Sequence, residues 1–436
     1  MKPLLDIIHR HKSGKALGIY SVCSAHPLVL ESTLRLAKRD GSHALIEATS
    51  NQVNQYGGYT GMRPAGFLEA VHRLASDVGL APDQVLLGGD HLGPNCWKSS
   101  PADAAMQRAA VLVGEYVEAG FRKIHLDCSM ACVDDLLALT DELIAERTAA
   151  LCAISEGAWR RSGGQAPVYV IGSEVPVPGG ALDGTHELAV TMPEAAHATI
   201  EAHRRAFTQL GLQDAWQRVI ALVVQPGVEF DHHMVIDYAP LKAAALSRSI
   251  VAVPGMVFEA HSTDYQTPGA LAALVRDHFA ILKVGPAVTF AMRETFWGLA
   301  AIATELGLES GDSLKRTLLD EMQREPDHWA AYYQDAARLQ FDLQFSLSDR
   351  IRYYWGAPVV LRACTRLLET LTEAGIPHTL LSQYLPVQFA QVRDGRLSNQ
   401  PRALVLDGVS QVLRGYAHAC NPPSSHNDAS SATGTS

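Results

Sequence analysis

Val219-Ile220-Ala221-Leu222-Val223-Val224 is an unbroken apolar hexapeptide, and Gln225-Pro226-Gly227 stops it. Six aliphatic residues without polar alternation describe a strand buried on both faces, the condition of a parallel strand covered by helices. The same grammar recurs upstream at Ala16 to Cys23, His43 to Thr49, Val85 to Leu87, Phe121 to Leu126 and Val168 to Ile171, and downstream at Met256 to Ala260 and Phe279 to Val284, eight runs in all. Amphipathic stretches separate them: Val29 to Arg39, Phe67 to Val78, Ala102 to Ala119, Leu136 to Cys152, Glu194 to Leu210 and Gly269 to His278. Each parallel return needs a crossover helix, so eight strands alternating with helices predict an α/β fold of the (β/α)8 TIM-barrel type. An open doubly wound sheet is the competitor. It usually carries a glycine fingerprint after its first strand, and here that turn reads Ser21 to Pro27 without one, so no nucleotide cofactor is expected.

After Thr289 the strand rhythm stops, and helical periodicity runs to about Glu373, with Phe296 to Leu306, Ser313 to Gln323, Trp329 to Leu339 and Pro358 to Leu371 as candidate helices. The expected organisation is a barrel over residues 1–290, a helical extension packed on it over 291–420, and a Ser/Thr/Asn/Pro-rich tail over 421–436 without bulky apolar residues, expected to be disordered. The 436 residues accommodate one barrel, which commonly takes about 250, plus that extension. A content of 47% hydrophobic and 19% charged residues supplies a large core. With 36 Lys plus Arg against 46 Asp plus Glu the net charge is −10, which argues against a nucleic-acid partner, because such binding rests on excess cations. Charges at Asp6, His9, Arg10, His11 and Lys12 break any signal-peptide core, and no window offers about 18 apolar residues for a membrane span. The seven cysteines form no CxxC pair; reduced thiols in a cytoplasmic protein are expected, with Cys128 and Cys132 as small buried groups.

In a parallel barrel the chemistry gathers at the carboxyl ends of the strands, so the polar residues after each run are the candidates. Asp90 and His91 end the third run; their side chains are expected to diverge, one to a metal and the other to substrate. Asp127 follows the fourth, Glu174 the fifth, Gln225 the sixth and His261 the seventh, while Lys283 and Gly285 close the eighth. A divalent metal on neutral imidazoles polarises a ketone, and a neighbouring carboxylate moves the proton of the adjacent hydroxyl. His91 and His261 together at strand ends favour that reading over structural histidines; His232 and His233 are weaker candidates. Asn51, Gln52 and Asn54, ahead of Tyr56-Gly57-Gly58-Tyr59-Thr60-Gly61, form a polar loop that either grips a sugar or phosphate or is ordinary turn chemistry. Lys283, an ammonium on a buried strand, needs an anion, internal or from a ligand. No GxxxxGK[ST] segment or protein-kinase signature set occurs. The cation- and aromatic-rich run Ser348 to Trp355 suits a phosphorylated-sugar contact, a subunit interface or plain packing.

Gly88-Gly89-Asp90-His91-Leu92-Gly93-Pro94-Asn95, Glu259-Ala260-His261-Ser262-Thr263-Asp264-Tyr265-Gln266, Leu282-Lys283-Val284-Gly285-Pro286-Ala287 and the Ser348 to Trp355 run, in this order, resemble the accessory (Z, GatZ/KbaZ-type) subunit of class II D-tagatose-1,6-bisphosphate aldolase, over roughly Leu4 to Tyr416. The resemblance implies a TIM barrel related to the class II aldolases, some of whose members were once labelled tagatose-6-phosphate kinases. It also implies a part in galactitol, N-acetylgalactosamine or tagatose catabolism, with a chain that is itself non-catalytic but needed for full activity and stability of a separate catalytic subunit. Against the catalytic class II pattern, Asp90-His91 is similar to its acid/base and first zinc ligand, His261 to the ligand after strand seven, Glu174 with Gly179-Gly180 to its Glu before a double glycine, and Lys283-Val284 to the start of its strand-eight phosphate segment. Two positions depart: Gln225-Pro226-Gly227 stands where the pattern has a zinc histidine, and Ser262-Thr263-Asp264 replaces its Gly-Gly-Ser phosphate loop. The implied site is a divalent metal, zinc ahead of manganese or nickel, on His91, His261 and Glu174, with Asp90 and Glu174 as catalytic carboxylates and a sugar or sugar phosphate as ligand. The alternative is a stand-alone metal-dependent ketose or ketose-phosphate epimerase, acting at C4 by retro-aldol chemistry, or an aldolase. The expected partners are the catalytic aldolase subunit and a second copy of the chain.

Overall fold

The computed structural model describes residues 1–136, 138–173 and 188–422. Eight parallel strands close into a barrel: β1 (Ile19–Val22), β2 (Ala44–Thr49), β3 (Val85–Leu92), β4 (Lys123–Leu126), β5 (Val168–Ile171), β6 (Val219–Val224), β7 (Val257–Ala260) and β8 (Phe279–Val284). All eight expected runs are strands, and β1 meets β8 through the pair Ser21 and Lys283. β3 is longer than its apolar core predicts, because Gly88, Gly89 and Asp90 go on pairing with β2, and Leu92 pairs with Leu126 of β4 after a register shift.

Alternation along these buried strands sorts outward from inward residues. Ile46, Ile124, Phe258 and Leu282 join the large apolar cluster beneath the helices, whereas Glu47, Lys123, Glu259 and Lys283 meet one another across the lumen. Below that charged layer, Ile19, Leu45, Val168, Val257 and Ile281 fill the interior, and Met1 with Leu4 and Ile8 of the helix it precedes, Lys2–Lys12, close it from the amino-terminal mouth. The lumen is thus stacked: apolar plug, ionic layer, then the carboxyl rim.

Helices Pro27–Asp40, Pro64–Val78, Ala102–Ala119, Asp141–Ser162, Pro193–Gln209 and Pro268–Arg276 lie outside the strands at the six positions read from periodicity. Helix Pro286–Glu305 follows β8 and runs through residue 290 without a break. Beyond it come Ser310–Arg324, Leu339–Phe345, Pro358–Ala374, His378–Tyr384, Pro386–Arg393 and Pro401–Cys420. The expected helix at Trp329 to Leu339 is instead a run of turns: Asp335 Oδ1 accepts from the Ala337 N–H (2.9 Å), an Asx turn that competes with helical pairing.

The last helix is built into the barrel wall. Pro401–Cys420 packs on Pro27–Asp40, Pro268–Arg276 and Pro286–Glu305; Ser32 donates to the Leu406 carbonyl (2.8 Å) and the Tyr416 hydroxyl to the Thr263 carbonyl (2.6 Å). None of the described helices is long and apolar enough to cross a membrane. All seven cysteines are free, Cys128 and Cys132 buried among them. Of the tail at 421–436, residues 423–436 lie outside the described residues.

Candidate functional site

Two Lys and two Glu side chains form a charged belt inside the barrel. Lys123 Nζ sits 2.6 Å from Glu47 Oε1 and 2.7 Å from Glu259 Oε2, with all three side chains excluded from solvent. Lys283 pairs with the other oxygen of Glu47 and with Asp90 Oδ1 at 2.9 Å. Burial alone would strip Lys283 of its proton; Asp90, Cys23, Glu47 and Glu259 outweigh that and hold the ammonium well above its ordinary range. Lys283 therefore has its anions inside the protein.

Above the belt, β3 ends in a register shift between Gly89 and Leu92, and His91 takes a positive φ of 49°. Such a backbone is uncommon outside glycine and costs on the order of 1–3 kcal/mol, which the surrounding pairing must offset. Its effect corrects the expected divergence of Asp90 and His91: the kink turns both side chains into the same pocket. Ser262, the residue after His261, repeats this at φ 51° just past the end of β7. At Gly93 a Cβ would fall 1.7 Å from the Asp127 carbonyl oxygen, so only glycine lets the end of β3 pass beside β4.

Three imidazoles then meet. The His91, His125 and His261 ring centroids are 5.1 Å (91 to 125), 5.0 Å (91 to 261) and 5.2 Å (125 to 261) apart. Each ring has a carboxylate on one nitrogen: Asp127 Oδ2 on His91 Nδ1 (2.7 Å), Asp90 Oδ1 on His125 Nδ1 (2.8 Å), Glu259 Oε1 on His261 Nε2 (3.0 Å). A carboxylate that takes the N–H on one side of an imidazole leaves the other nitrogen as an acceptor, the arrangement found behind metal-ligating histidines; His125 Nδ1 also faces the His91 backbone N–H (3.2 Å), and His91 Nε2 lies 3.7 Å from Asp90 Oδ2. His125 Nε2 is buried without a hydrogen-bond partner among the described residues. Burial pushes His261 down to about 4, keeping it in the neutral form that ligates. For His91, burial disfavours the charged form, but Asp90 and Asp127 outweigh it and raise its value.

These residues fit a divalent cation. Ligand atoms of Asp90, His125, Glu259 and His261 lie within 4.8 Å of one another. Around them two lysines face four carboxylates, Glu47, Asp90, Asp127 and Glu259, so negative charge stays in formal excess even with His91 protonated. The orphaned His125 nitrogen and that charge both ask for a cation.

An open cleft lies over this cluster, and Asn51, Gln52, Asp90, His91, His261 and Lys283 all line it. Gly285 lines it too, although its N–H is taken by Asp264 Oδ1 (2.9 Å). Asp127 sits behind His91. Asn54 is spent on its own loop, its amide donating to the Ser50 carbonyl (3.0 Å) and its oxygen accepting from Tyr56 and Gly58 N–H (2.9 and 3.0 Å). Gln225 likewise caps its own turn, accepting from Gly227 N–H at 2.8 Å and Val228 N–H at 3.0 Å. Glu174 and Gly179-Gly180 lie outside the described residues. His232 and His233 are tied elsewhere: His232 Nε2 to the Tyr332 carbonyl (3.1 Å), His233 to Asp342 (3.2 Å).

Sequence reading passed over His125, Glu259, Glu47 and Lys123. Each is a polar residue inside an apolar strand run, and its spacing from polar neighbours, as in Lys123 and His125, is the period of two that marks a lumen-facing position. The extension also reaches the cleft. Arg352 and Tyr353 line it, with Tyr353 stacked on His328 (centroids 4.6 Å apart) and against Tyr59 (4.7 Å).

Residues 4–421 match the family described as D-tagatose-1,6-bisphosphate aldolase subunit GatZ/KbaZ-like. A crystal structure described as a probable tagatose 6 phosphate kinase from Sinorhizobium meliloti 1021 is 46% identical, covers 92% of this chain and 100% of its own, and superposes with a TM-score of 0.85. A fructose-bisphosphate aldolase from Campylobacter jejuni is 15% identical, over 80% of this chain and 92% of its own, with a TM-score of 0.42. The lumen-facing pattern, the rim motifs and a match over nearly the whole length agree: this chain belongs to the GatZ/KbaZ-like family of D-tagatose-1,6-bisphosphate aldolase subunits.

Proposed function

We propose that the chain is the accessory subunit of a class II D-tagatose-1,6-bisphosphate aldolase, required for full activity and stability of a separate catalytic subunit in galactitol, N-acetylgalactosamine or tagatose catabolism in the cytoplasm. The observation that carries this reading is Gln225. The residue after β6 folds its side chain onto its own turn, with Oε1 held by Gly227 and Val228 N–H, so this strand end sends no imidazole to the pocket. Family membership supports the same reading. The test is to add the purified chain to a purified class II catalytic subunit and follow cleavage of tagatose 1,6-bisphosphate and the thermal half-life of activity. Both rise if the reading holds; no change in either contradicts it.

A second reading is favoured by the three-imidazole cluster, which a purely supporting chain would not need: a metal-dependent ketose or ketose-phosphate epimerase acting at C4 by retro-aldol chemistry, or an aldolase. A divalent ion, zinc ahead of manganese or nickel, would be held by His125 and His261 with His91 and a carboxylate of Asp90, Glu259 or Glu174, and when bound it supplies a Lewis acid for the ketose carbonyl. Asp90 is placed to take and return the hydroxyl proton beside the breaking carbon–carbon bond, with Glu174 as the second catalytic carboxylate. Asn51 and Gln52 orient hydroxyls, while Lys283 holds Asp90 ionised and Asp127 fixes the His91 ring. Conversion of fructose to tagatose by the isolated chain, abolished by chelator and by His261→Ala, would establish this reading; inactivity on free and phosphorylated ketoses with zinc, manganese and nickel would remove it.

A further inference from the structure

Barrels that bind sugar phosphates commonly hold the phosphate on backbone N–H groups where the loops after strands seven and eight meet a helix N-terminus. In this chain that place is taken. Asp264, on the loop after β7, accepts from Gly285 N–H (2.9 Å) and Ala287 N–H (2.8 Å) at the start of helix Pro286–Glu305. Its carboxylate is buried yet lines the same cleft as His91 and His261.

The cations of the cleft are also committed. Lys283 is surrounded by Glu47, Asp90 and Glu259. Arg352 donates to the carbonyls of Ser348 and Asp349 (3.0 Å to the latter) and to the Tyr353 hydroxyl (2.9 Å). A phosphate entering here would meet a fixed carboxylate across low-dielectric space and would find both N–H donors engaged.

We propose that Asp264 is a specificity-determining residue that fills the anion position at the β7–β8 side of the cleft, so that a ligand presents a neutral hydroxyl there and not a phosphate. This rests on the reading of the cleft as a sugar site and narrows it to ketoses unphosphorylated at that end. It also gives a physical reason for a non-cleaving role toward a bisphosphate.

The test is calorimetric titration of the full-length protein with inorganic phosphate and, separately, with fructose, for wild type, Asp264→Ser and Asp264→Asn. Serine vacates both N–H groups; asparagine keeps an acceptor there but removes the charge. The expected result is phosphate binding at least about tenfold tighter in Asp264→Ser than in wild type, with Asp264→Asn between them. Equal phosphate affinity in wild type and variants overturns the proposal. Should the serine variant melt prematurely, the asparagine variant decides alone by the same comparison with wild type. Loss of any fructose signal with the phosphate pattern intact would instead sink the sugar reading of the cleft and leave the role of Asp264 standing.

Discussion

Lys123 is the residue on which the interior turns, because its ammonium is the bridge between Glu47 and Glu259 in a space without solvent. Replacing it with methionine keeps the volume but leaves Glu47 and Glu259 to share the single ammonium of Lys283, and breaking a buried pair in this way costs about 3–5 kcal/mol. Lys123→Met should therefore lower the urea midpoint sharply; an unchanged midpoint would mean the belt does not hold the barrel together. One layer higher, Asp127 touches the pocket through His91 Nδ1, while its other oxygen accepts from the Ser129 N–H and hydroxyl. Asp127→Asn should leave the fold intact and weaken divalent-metal binding about 10–100-fold, measured by competition with a chromophoric chelator. At this scale the sequence was legible where a motif ended a strand, as at Asp90, His91, His261 and Lys283. It was opaque at His125 and Glu259, because a polar residue inside an apolar run reveals its direction only once the strand is known to face a lumen.

Elements were read well where apolar runs and periodicity stood alone, and less well where proline did two jobs. Pro358 opens an expected helix, but Pro386 and Pro401 also each open a helix at its first turn, where the missing N–H is harmless, so the helical pattern continues past Glu373 to Cys420. The β3 kink was unreadable because it is a backbone choice at His91, a residue type with no obligation to positive φ. One helix also carries a pH dependence. In Pro193–Gln209, His203 donates through Nδ1 to the Thr199 carbonyl (2.8 Å) and is fully buried, which pushes it down to about 4. Between an unfolded value of about 6.5 and that folded value, the unfolded chain takes up a proton that the folded chain refuses, so this contribution to stability is lost as pH falls through the window. Denaturant titrations at pH 7 and pH 5 should show a smaller drop for His203→Leu than for wild type; equal drops would contradict the assignment.

For the molecule as a whole, the N-terminal helix plugs one mouth, the C-terminal helix completes the wall, and the other mouth concentrates histidines and carboxylates beneath residues of the extension. The barrel and its helical extension were visible in the rhythm of the chain, but the extension's share of the cleft depends on Arg352 and Tyr353 meeting loops some 300 residues upstream, such as Tyr59, which no local pattern encodes. If the cluster holds a cation, metal and fold are linked: at about 100 times the dissociation constant, zinc should add about 2.7 kcal/mol of stability, seen as a melting temperature that falls on dialysis against EDTA and recovers on readdition. The most direct test is elemental analysis by inductively coupled plasma mass spectrometry of the purified protein, beside His125→Ala and His261→Ala after equal exposure to zinc. The account predicts about one divalent ion per wild-type chain and marked loss in both variants; a wild-type chain that stays metal-free after zinc exposure, or variants that retain the ion, would contradict it.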